Sequence, residues 1–526
     1  MHTKQWQTVC GFLTDGCESI EASGRTMREL YEAIFLQTDV PVFGWLESKR
    51  VTHLRAGECR RRITSAAKQI HDLCGSRKIV GLHLVNGPAW PVCFWAILMS
   101  GNRPLLLDSR RKLFDYRFLP QCAGAFCITA DPDYPAVISP DLLMSGSVRI
   151  DPGFFDDKWE DQVIFADAEN PREPKAVVHN GHSLCEQILR FRYLYRDSLP
   201  LLYPHGKLHA LHTAPFSGLA GLVTGVLLYP YFGCETFVTG ETEPVGILQT
   251  CRLAGITHLY ADGTVFSRIA ALISGELARL FPGEAGGLSG WLTGAIPSAD
   301  YRLLLRYASL CQKLRKRFFG KQFVCALVTD DTCNPKTFSL LNRLGVFFSR
   351  LYWRTDAGIV SLDASAAAEQ RCAGSCGTFL NGITGSTDSR GILILSGTGM
   401  ALGFLSDREL VPYGETLDTG QAARIDHRGI LTLTPAASAP RSAPADPDPL
   451  IQKICELYAA VLNRSPEGIG PQTDFFTDLG GDSLTYFMLL QHIGIAFGIT
   501  VGPEHQLYMT KPVYAAETVA EIMQKQ

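Results

Sequence analysis

The chain has 526 residues, a formal net charge of -3 at pH 7 and 16 cysteines. Its length exceeds one ordinary domain, and its balanced charge gives no overall footprint for nucleic acid or an anionic membrane. The most apolar stretch, residues 219–229, is too short to span a bilayer. Because the cysteines stand singly, outside the spacings of zinc or redox motifs, we expect free thiols, no metal site and a cytoplasmic protein.

The first four fifths of the chain predict an α/β fold. Helical patterns over residues 26–36 and 56–73 come first, and a helix over 90–99 follows the first buried strand. Predicted strands lie at residues 79–84, 103–108, 125–129, 162–165, 208–211, 236–238, 257–260 and 322–327. The alternation of these strands with helical patterns favours mostly parallel sheets in a doubly wound architecture.

Five segments in this part stand in a characteristic order. They are residues 98–108, Ala214-Pro215-Phe216-Ser217, Tyr352-Trp353-Arg354-Thr355-Asp356, residues 391–405 and residues 419–429. Their order resembles the large N-terminal domain of adenylate-forming enzymes, the superfamily of acyl-CoA ligases and nonribosomal peptide synthetase adenylation domains. The resemblance covers residues ~25 to ~434. It implies a nucleotide site whose remnants are Lys175, Tyr352, Thr355, Asp356 and Gln421.

Departures from the family pattern predict that this core, residues 1–434, has lost adenylation. Where the family cradles ATP phosphates in a loop of small residues, residues 165–175 contain three carboxylates and no glycine, and only Pro174-Lys175 matches. Gln421 replaces the aspartate that binds the ribose, and Gly218 replaces a gating side chain. The family's small catalytic domain is missing after residue 434. We therefore expect ATP and magnesium not to bind and the core to be a pseudoenzyme.

The remaining positions of that site each allow two readings. Lys175 is either a solvated surface lysine or a residual phosphate contact, and Asp356 is either part of a magnesium site or a structural carboxylate. Leu219 stands where amino-acid-activating members have an aspartate, so an α-amino acid pocket is unsupported. A pocket near Phe216, Leu219 and Tyr352 would hold an apolar acyl group, or be collapsed and filled.

One stretch of the core is strongly basic. Between residues 301 and 322 there is no acidic residue, while the basic ones include Arg302, Arg306, Lys313, Arg315, Lys316 and Arg317. A solvated helix face explains this pattern. A docking face for an acidic partner, such as a carrier domain or a tailoring enzyme, is the alternative.

An Ala/Pro-rich linker, residues 435–448, separates the core from an acidic C-terminal segment, residues 449–526. Helical stripes over 451–462 and 513–523 flank the run Gly480-Gly481-Asp482-Ser483-Leu484. The glycines allow a tight loop, Asp482 can cap a helix over 485–495, and the Ser483 hydroxyl is left at an exposed helix N-terminus that favours an anion.

This run resembles the phosphopantetheine attachment motif of peptidyl carrier domains. The resemblance implies a small four-helix bundle with 4'-phosphopantetheine on Ser483, attached by a phosphopantetheinyl transferase. Two functions follow for the whole chain. In the first, a separate loading ligase places an acyl or aminoacyl group on the arm as a thioester, and the core recruits other assembly-line enzymes of natural product biosynthesis. In the second, the core is a divergent ATP-dependent ligase that loads its own carrier.

Overall fold

A computed structural model describes residues 14–36, 39–116, 119, 121, 125–131, 137–145, 153–167, 175–192, 208–280, 301–330, 332–365, 371, 375–406, 409–434, 449–466, 469–471, 473–476, 478–506 and 509–525. The chain divides into two units, with the division after Ala437. That position falls within the predicted linker, which lies outside the described residues, so the limits 1–434 and 449–526 remain predictions.

Two β-sheets form the framework of the first unit. In chain order the described strands are β1 Pro41–Glu47, β2 Arg50–Arg55, β3 Ile79–His83, β4 Arg103–Leu106, β5 Phe126–Thr129, β6 Val137–Ile138, β7 Gln162–Asp167, β8 Lys175–Asn180, β9 His209–His212, β10 Glu235–Val238, β11 His258–Ala261, β12 Cys325–Val328, β13 Phe347–Arg354, β14 Gly358–Leu362, β15 Gly377–Phe379, β16 Ile383–Thr387, β17 Ile392–Gly397, β18 Gly403–Ser406, β19 Glu409–Pro412, β20 Thr416–Ile425 and β21 Ile430–Leu433. Each of the eight strands predicted from the sequence is among them, displaced by at most three residues at either end.

The larger sheet has 13 described strands, in the order β16-β17-β20-β21-β15-β14-β13-β12-β11-β9-β10-β1-β2, and the smaller has 8, in the order β19-β18-β8-β7-β4-β3-β5-β6. In the larger sheet β1, β10, β9, β11, β12 and β13 pair in parallel. From β13 onward, every described pairing within that sheet is antiparallel. The sheets are therefore mixed rather than mostly parallel, because short turns such as the one at Gly391 can join only antiparallel neighbours.

Helices connect the parallel strands and cover the sheets. They are α1 Met27–Phe35, α2 Ala56–Cys74, α3 Ala89–Met99, α4 Pro140–Ser145, α5 Gly181–Leu189, α6 Leu219–Gly221, α7 Tyr229–Tyr231, α8 Pro244–Leu253, α9 Gly263–Leu280, α10 Tyr301–Phe319 and α11 Pro335–Arg343. A π-helix, Leu222–Leu228, joins α6 to α7. Helix α3 has no polar face, and residues 90–99 are all buried, so it lies inside the core. The α/β fold class predicted from the sequence is confirmed.

The second unit is a helical bundle. Its described helices are α12 Pro449–Val461, α13 Ser483–Phe497, the short α14 Pro503–Gln506 and α15 Pro512–Lys525. Ile454, Tyr458, Leu489, Ile493 and Val519 meet in its core with almost no exposed surface. The bundle predicted from helical stripes is confirmed. Across the described parts of both units, no helix is long and apolar enough to cross a membrane.

Candidate functional site

The carboxylate predicted at the magnesium position is bound by a neighbouring arginine. Asp356 lies in the turn after β13, and its side chain is 12% exposed. Arg354 Nε donates to Asp356 Oδ1 and Nη2 to Oδ2, each at 2.8 Å. Arg354 Nη1 also donates to the carbonyl oxygen of Thr419, at 3.2 Å. Such a two-pronged, charge-assisted pair is among the stronger polar contacts in proteins, and it engages both oxygens of Asp356.

Other predicted nucleotide-site residues also bind one another. The Tyr352 hydroxyl donates to Gln421 Oε1 at 2.7 Å, so the side-chain oxygen at the predicted ribose-binding position already has a donor. His179 Nε2 lies 2.8 Å from the carbonyl oxygen of Thr355. Burial lowers the pKa of His179 to about 4, so at neutral pH its uncharged ring can donate to that oxygen. The structure thus brings Tyr352, Thr355, Asp356 and Gln421 together where the end of β13 meets the middle of β20.

Lys175 is the first residue of β8 and is exposed. Its ammonium nitrogen lies 5.4 Å from the ring centroid of Phe404, within the range of a cation–π contact. The loop before it, residues 168–174, lies outside the described residues. Both readings of Lys175, surface lysine and phosphate contact, therefore stay open.

The region predicted to hold or lack an acyl pocket is filled where it is described. Phe216 and Leu219 are fully buried, and Tyr352 is nearly so. The Phe216 ring packs on Trp90 at 5.3 Å between centroids and enters a notch at Gly225, where a Cβ would lie 2.3 Å from Phe216 Cε1. Of the two readings of this region, the collapsed one fits these contacts.

Ser483 is the first residue of α13, and it is exposed. Before it, Asp482 accepts a hydrogen bond from the Thr485 backbone at 2.8 Å, and the Thr485 hydroxyl accepts one from the Asp482 backbone at 2.9 Å. The bond from the Thr485 backbone, and next the one that the Thr485 hydroxyl donates to Asp482 Oδ1, lower the pKa of the Asp482 carboxyl. This reciprocal capping box starts the helix where the sequence predicted and keeps the carboxylate occupied with the backbone.

Two glycines and an aromatic cluster fix the loop before Ser483. Gly480 has φ +67°, a left-handed conformation that favours glycine. A Cβ at Gly481 would lie 2.2 Å from Phe475 Cε1, so only glycine fits there. Phe475 is fully buried and packs on Tyr458 and Tyr486, with centroids 5.6 Å and 5.3 Å away. The loop is therefore fastened to the bundle core while Ser483 stays outside it.

Apolar side chains close to Ser483 in sequence are exposed. Leu484 is 70% exposed and Phe487 is 55% exposed, and Met488 and Phe476 are also substantially exposed. Residues 484, 487 and 488 follow one another at helical spacing on one face of α13. Contiguous exposed apolar groups of this kind are typical of interaction sites.

Residues 452–522 match the family model described as the phosphopantetheine attachment site. These residues are a carrier domain. The carrier domain includes the glycine loop and Ser483, and its cofactor is 4'-phosphopantetheine. Carrier domains are modified by phosphopantetheinyl transferases and work in assembly lines.

The first unit shares its fold with adenylation domains and acyl-CoA ligases. The Klebsiella oxytoca NpsA N-terminal subdomain, in complex with 3-hydroxyanthranilyl-AMSN, aligns with a TM-score of 0.56 at 16% identity, covering 78% of this chain and 99% of that one. O-succinylbenzoate coenzyme A synthetase (MenE) from Bacillus subtilis, in complex with AMP, aligns with a TM-score of 0.57 at 13% identity, covering 77% of each chain.

A solved structure with both kinds of domain matches most of the chain. McyG A-PCP, complexed with phenylalanyl-adenylate, aligns with a TM-score of 0.58 at 10% identity and covers 94% of this chain and 98% of that one. No curated protein sequence matches this chain. The fold of an adenylation domain followed by a carrier domain, expected from the sequence, is confirmed.

The basic stretch spans the whole of α10, and its basic side chains are described only in the second half of the helix. Lys313, Lys316 and Arg317 are exposed there. Arg315 differs from them, because it is half-buried and its Nη1 donates to the Gly345 carbonyl oxygen at 2.8 Å. The side chains of Arg302 and Arg306 lie outside the described residues. Arg315 thus attaches the helix to the rest of the unit and does not belong to an exposed basic face. The docking face stays a prediction, and its described exposed residues are Lys313, Lys316 and Arg317.

Sequence reasoning missed three features of these sites. It gave no role to Arg354 or Trp353, although a bulky residue and a cation within the Tyr352–Asp356 motif were visible signals. It also missed His212, which is fully buried, stacks on Tyr260 at 4.5 Å and has no hydrogen-bond partner for either ring nitrogen among the described residues. Burial lowers the pKa of His212 to about 3. A histidine within a four-residue buried strand carries no sequence signal of this kind.

Proposed function

We propose that this protein is a carrier component of a nonribosomal-peptide or polyketide-like pathway. Ser483 holds the phosphopantetheine arm, and a separate ligase loads that arm with an acyl or aminoacyl group as a thioester. The adenylation-like unit does not form an adenylate and serves to recruit partners. The observation that supports the non-catalytic part is the Arg354–Asp356 pair, because Arg354 engages both oxygens of the carboxylate that the resemblance assigns to magnesium.

The surroundings of Ser483 fit the covalent attachment of this cofactor. The hydroxyl is exposed at the N-terminus of a 15-residue helix, where free backbone N–H groups and the helix dipole favour a phosphodiester. The apolar residues Leu484, Phe487 and Met488 offer a transferase or a loading enzyme a surface to bind.

The core supports a non-catalytic role through contacts that compete with a nucleotide. Magnesium would have to displace the Arg354 guanidinium from a carboxylate that is mostly buried, leaving that cation without its partner. A ribose would have to compete with the Tyr352 hydroxyl for Gln421 Oε1. Each exchange costs a hydrogen bond to a charged or buried group, about 1–3 kcal/mol.

Acid-dependent ATP–pyrophosphate exchange tests this proposal on the full-length protein. With a panel of aryl, aliphatic and amino acids, we expect no exchange above that of a heat-denatured sample, while an active adenylation enzyme run in parallel exchanges with its own acid. Calorimetry should likewise detect no micromolar affinity for ATP with magnesium. Exchange with any acid would replace this proposal with the divergent ligase that loads its own carrier.

A further inference from the structure

The strand order of the larger sheet reverses beside β9, and the space outside the carboxyl ends of the strands at this switch point is called the crevice here. Strand β9 lies between β10 and β11, and the chain passes from β9 to β10 on one side but from β11 to β12 on the other. Parallel α/β sheets bind ligands outside the carboxyl ends of the strands at such a switch point. The loops after β9 and β12 are therefore where a ligand of this sheet would be expected.

A side chain of the protein itself lies in that crevice. Trp353, near the end of β13, donates from Nε1 to the carbonyl oxygen of Thr329, just after β12, at 2.5 Å. Its ring reaches the loop after β9, since a Cβ added at Gly218 would lie 3.3 Å from Trp353 Cη2 and 3.6 Å from Cζ2. The indole thus spans the crevice from β12 to the β9 loop, and Gly218 leaves room for it.

The walls of the crevice are held by contacts that do not involve Trp353. Asn86 donates to the Ala214 carbonyl oxygen at 2.7 Å and accepts from the Phe216 backbone at 3.1 Å, and its side chain is buried. The Thr329 backbone donates to the Ala261 carbonyl oxygen at 3.1 Å, which ties the acceptor of the indole N–H to β11. Because these bonds would survive removal of the indole, the space it fills would keep much of its shape.

We propose that the crevice is a binding site for a flat aromatic group with one N–H donor, and that Trp353 is its permanent occupant. This inference rests on the proposed function: only a core that activates no acid can keep the crevice filled by its own indole, because an acyl group could not then enter it. When the Trp353 side chain is removed, an added aromatic molecule should bind in the space that it leaves. An apolar cavity left by a large-to-small substitution can take up a small aromatic molecule of matching shape.

Indole binding to full-length Trp353→Gly tests this proposal. Indole should raise the melting temperature of the variant in a concentration-dependent way and leave that of the wild type unchanged. The probe 1-methylindole cannot donate to the Thr329 carbonyl oxygen, so it should bind about five-fold more weakly. Trp45→Gly is the matched control, because Trp45 is also partly buried but lies on β1. It should show no response to indole.

Three results would overturn the inference: no response of Trp353→Gly to indole, equal binding of the two probes, or an equal response of Trp45→Gly. If Trp353→Gly does not fold alone, its recovery in soluble form when expressed with indole supports the site, and failure to recover rejects it. The indole test uses no ATP or acid, so its failure can be distinguished from a failure of the proposed function in the exchange assay on the wild type.

Discussion

The Ser483 loop and the Asp356 turn both place an aspartate beside a predicted reactive position, and they differ in what the aspartate binds. Asp482 accepts from the Thr485 backbone and so starts a helix, which leaves Ser483 exposed. Asp356 is bound at both oxygens by Arg354, so the group expected to meet a metal is already paired.

This difference separates a site that is open to a partner from one that is closed by its own residues. In the carrier domain, polar groups near the reactive atom satisfy the backbone, and the reactive hydroxyl keeps its bonding capacity. In the core, Arg354, Gln421, Tyr352 and Trp353 satisfy one another or nearby carbonyl groups. Resemblance to a motif therefore predicts a site only when the contacts leave its functional atoms free.

The largest expected effect is at the open site. Ser483→Ala should abolish the mass gain that the full-length protein shows after incubation with coenzyme A and a phosphopantetheinyl transferase, because the acceptor oxygen is gone. Ser465→Ala is the control, since Ser465 is an exposed serine of the same domain and should leave one added arm. Intact-mass spectrometry reads both. An unchanged mass of the wild type, or an arm on Ser483→Ala, would contradict the assignment of Ser483.

At the closed site, Arg354→Met should lower the free energy of unfolding by about 3 kcal/mol, because it leaves a mostly buried carboxylate without its partner. Arg354→Met combined with Asp356→Asn should recover much of that loss. Urea denaturation detected by tryptophan fluorescence measures this free energy for the first unit alone, because all 7 tryptophans precede residue 434.

Arg390→Met is the control for that measurement. Arg390 pairs with Asp388 at 2.9 Å but is 68% exposed, so its loss should cost less than about 1 kcal/mol. If Arg354→Met is no more costly than Arg390→Met, the Arg354–Asp356 pair is not a structural unit and the site is less firmly closed than its geometry indicates.

The elements that sequence predicted well are those with a local signal. Buried apolar runs marked the parallel strands, and the glycines and Asp482 marked the start of α13 to within a few residues. The antiparallel strands after β13 were not anticipated, because hairpin pairing depends on which strands meet rather than on composition. The role of Trp353 depends on partners distant in sequence, Thr329 and Gly218, so it required coordinates. Arg354 pairs with Asp356 only two residues away, but sequence alone does not show that its side chain folds back onto that carboxylate.

A smaller effect is expected from the buried histidine of the core. His212→Phe should stabilise the first unit by about 1–2 kcal/mol at pH 7, because it removes two buried ring nitrogens that lack partners among the described residues and keeps the stack on Tyr260. The same fluorescence-detected denaturation measures the gain. His492→Phe, at an exposed position of the carrier domain, should leave the first unit unchanged. A loss of stability in His212→Phe would mean that the ring nitrogens have partners after all.

The pH dependence follows from the same burial. The pKa of His212 is lowered to about 3 in the folded state, so the unfolded chain takes up the proton first as the pH falls. Above about pH 6.5 this difference in pKa costs the fold nothing. Below it, the free energy of unfolding falls by about 1.4 kcal/mol per pH unit until the pH nears 3. In His212→Phe, the free energy of unfolding should therefore fall less steeply with decreasing pH, by that amount per pH unit. His179 and His258, whose pKa values are also lowered by burial, should still cause part of the fall. Equal slopes in the two proteins would contradict the low pKa.

The smallest expected effect concerns the basic face of α10, here Lys313, Lys316 and Arg317. Replacing all three with glutamate should slow acyl loading of the carrier arm by a separate ligase a few-fold at low salt, if this face recruits an acidic partner. Arg315 is left intact because its bond to the Gly345 carbonyl oxygen serves the fold.

Replacing the exposed residues Lys49, Arg50 and Arg61 with glutamate makes the same charge change elsewhere and should have little effect. The difference between the two triple variants should vanish in high salt, because the Debye length is only about 8 Å at physiological ionic strength. If the excised carrier, residues 446–526, is loaded as fast as the full-length protein, the core does not recruit the loading enzyme, and the basic residues form a solvated helix face.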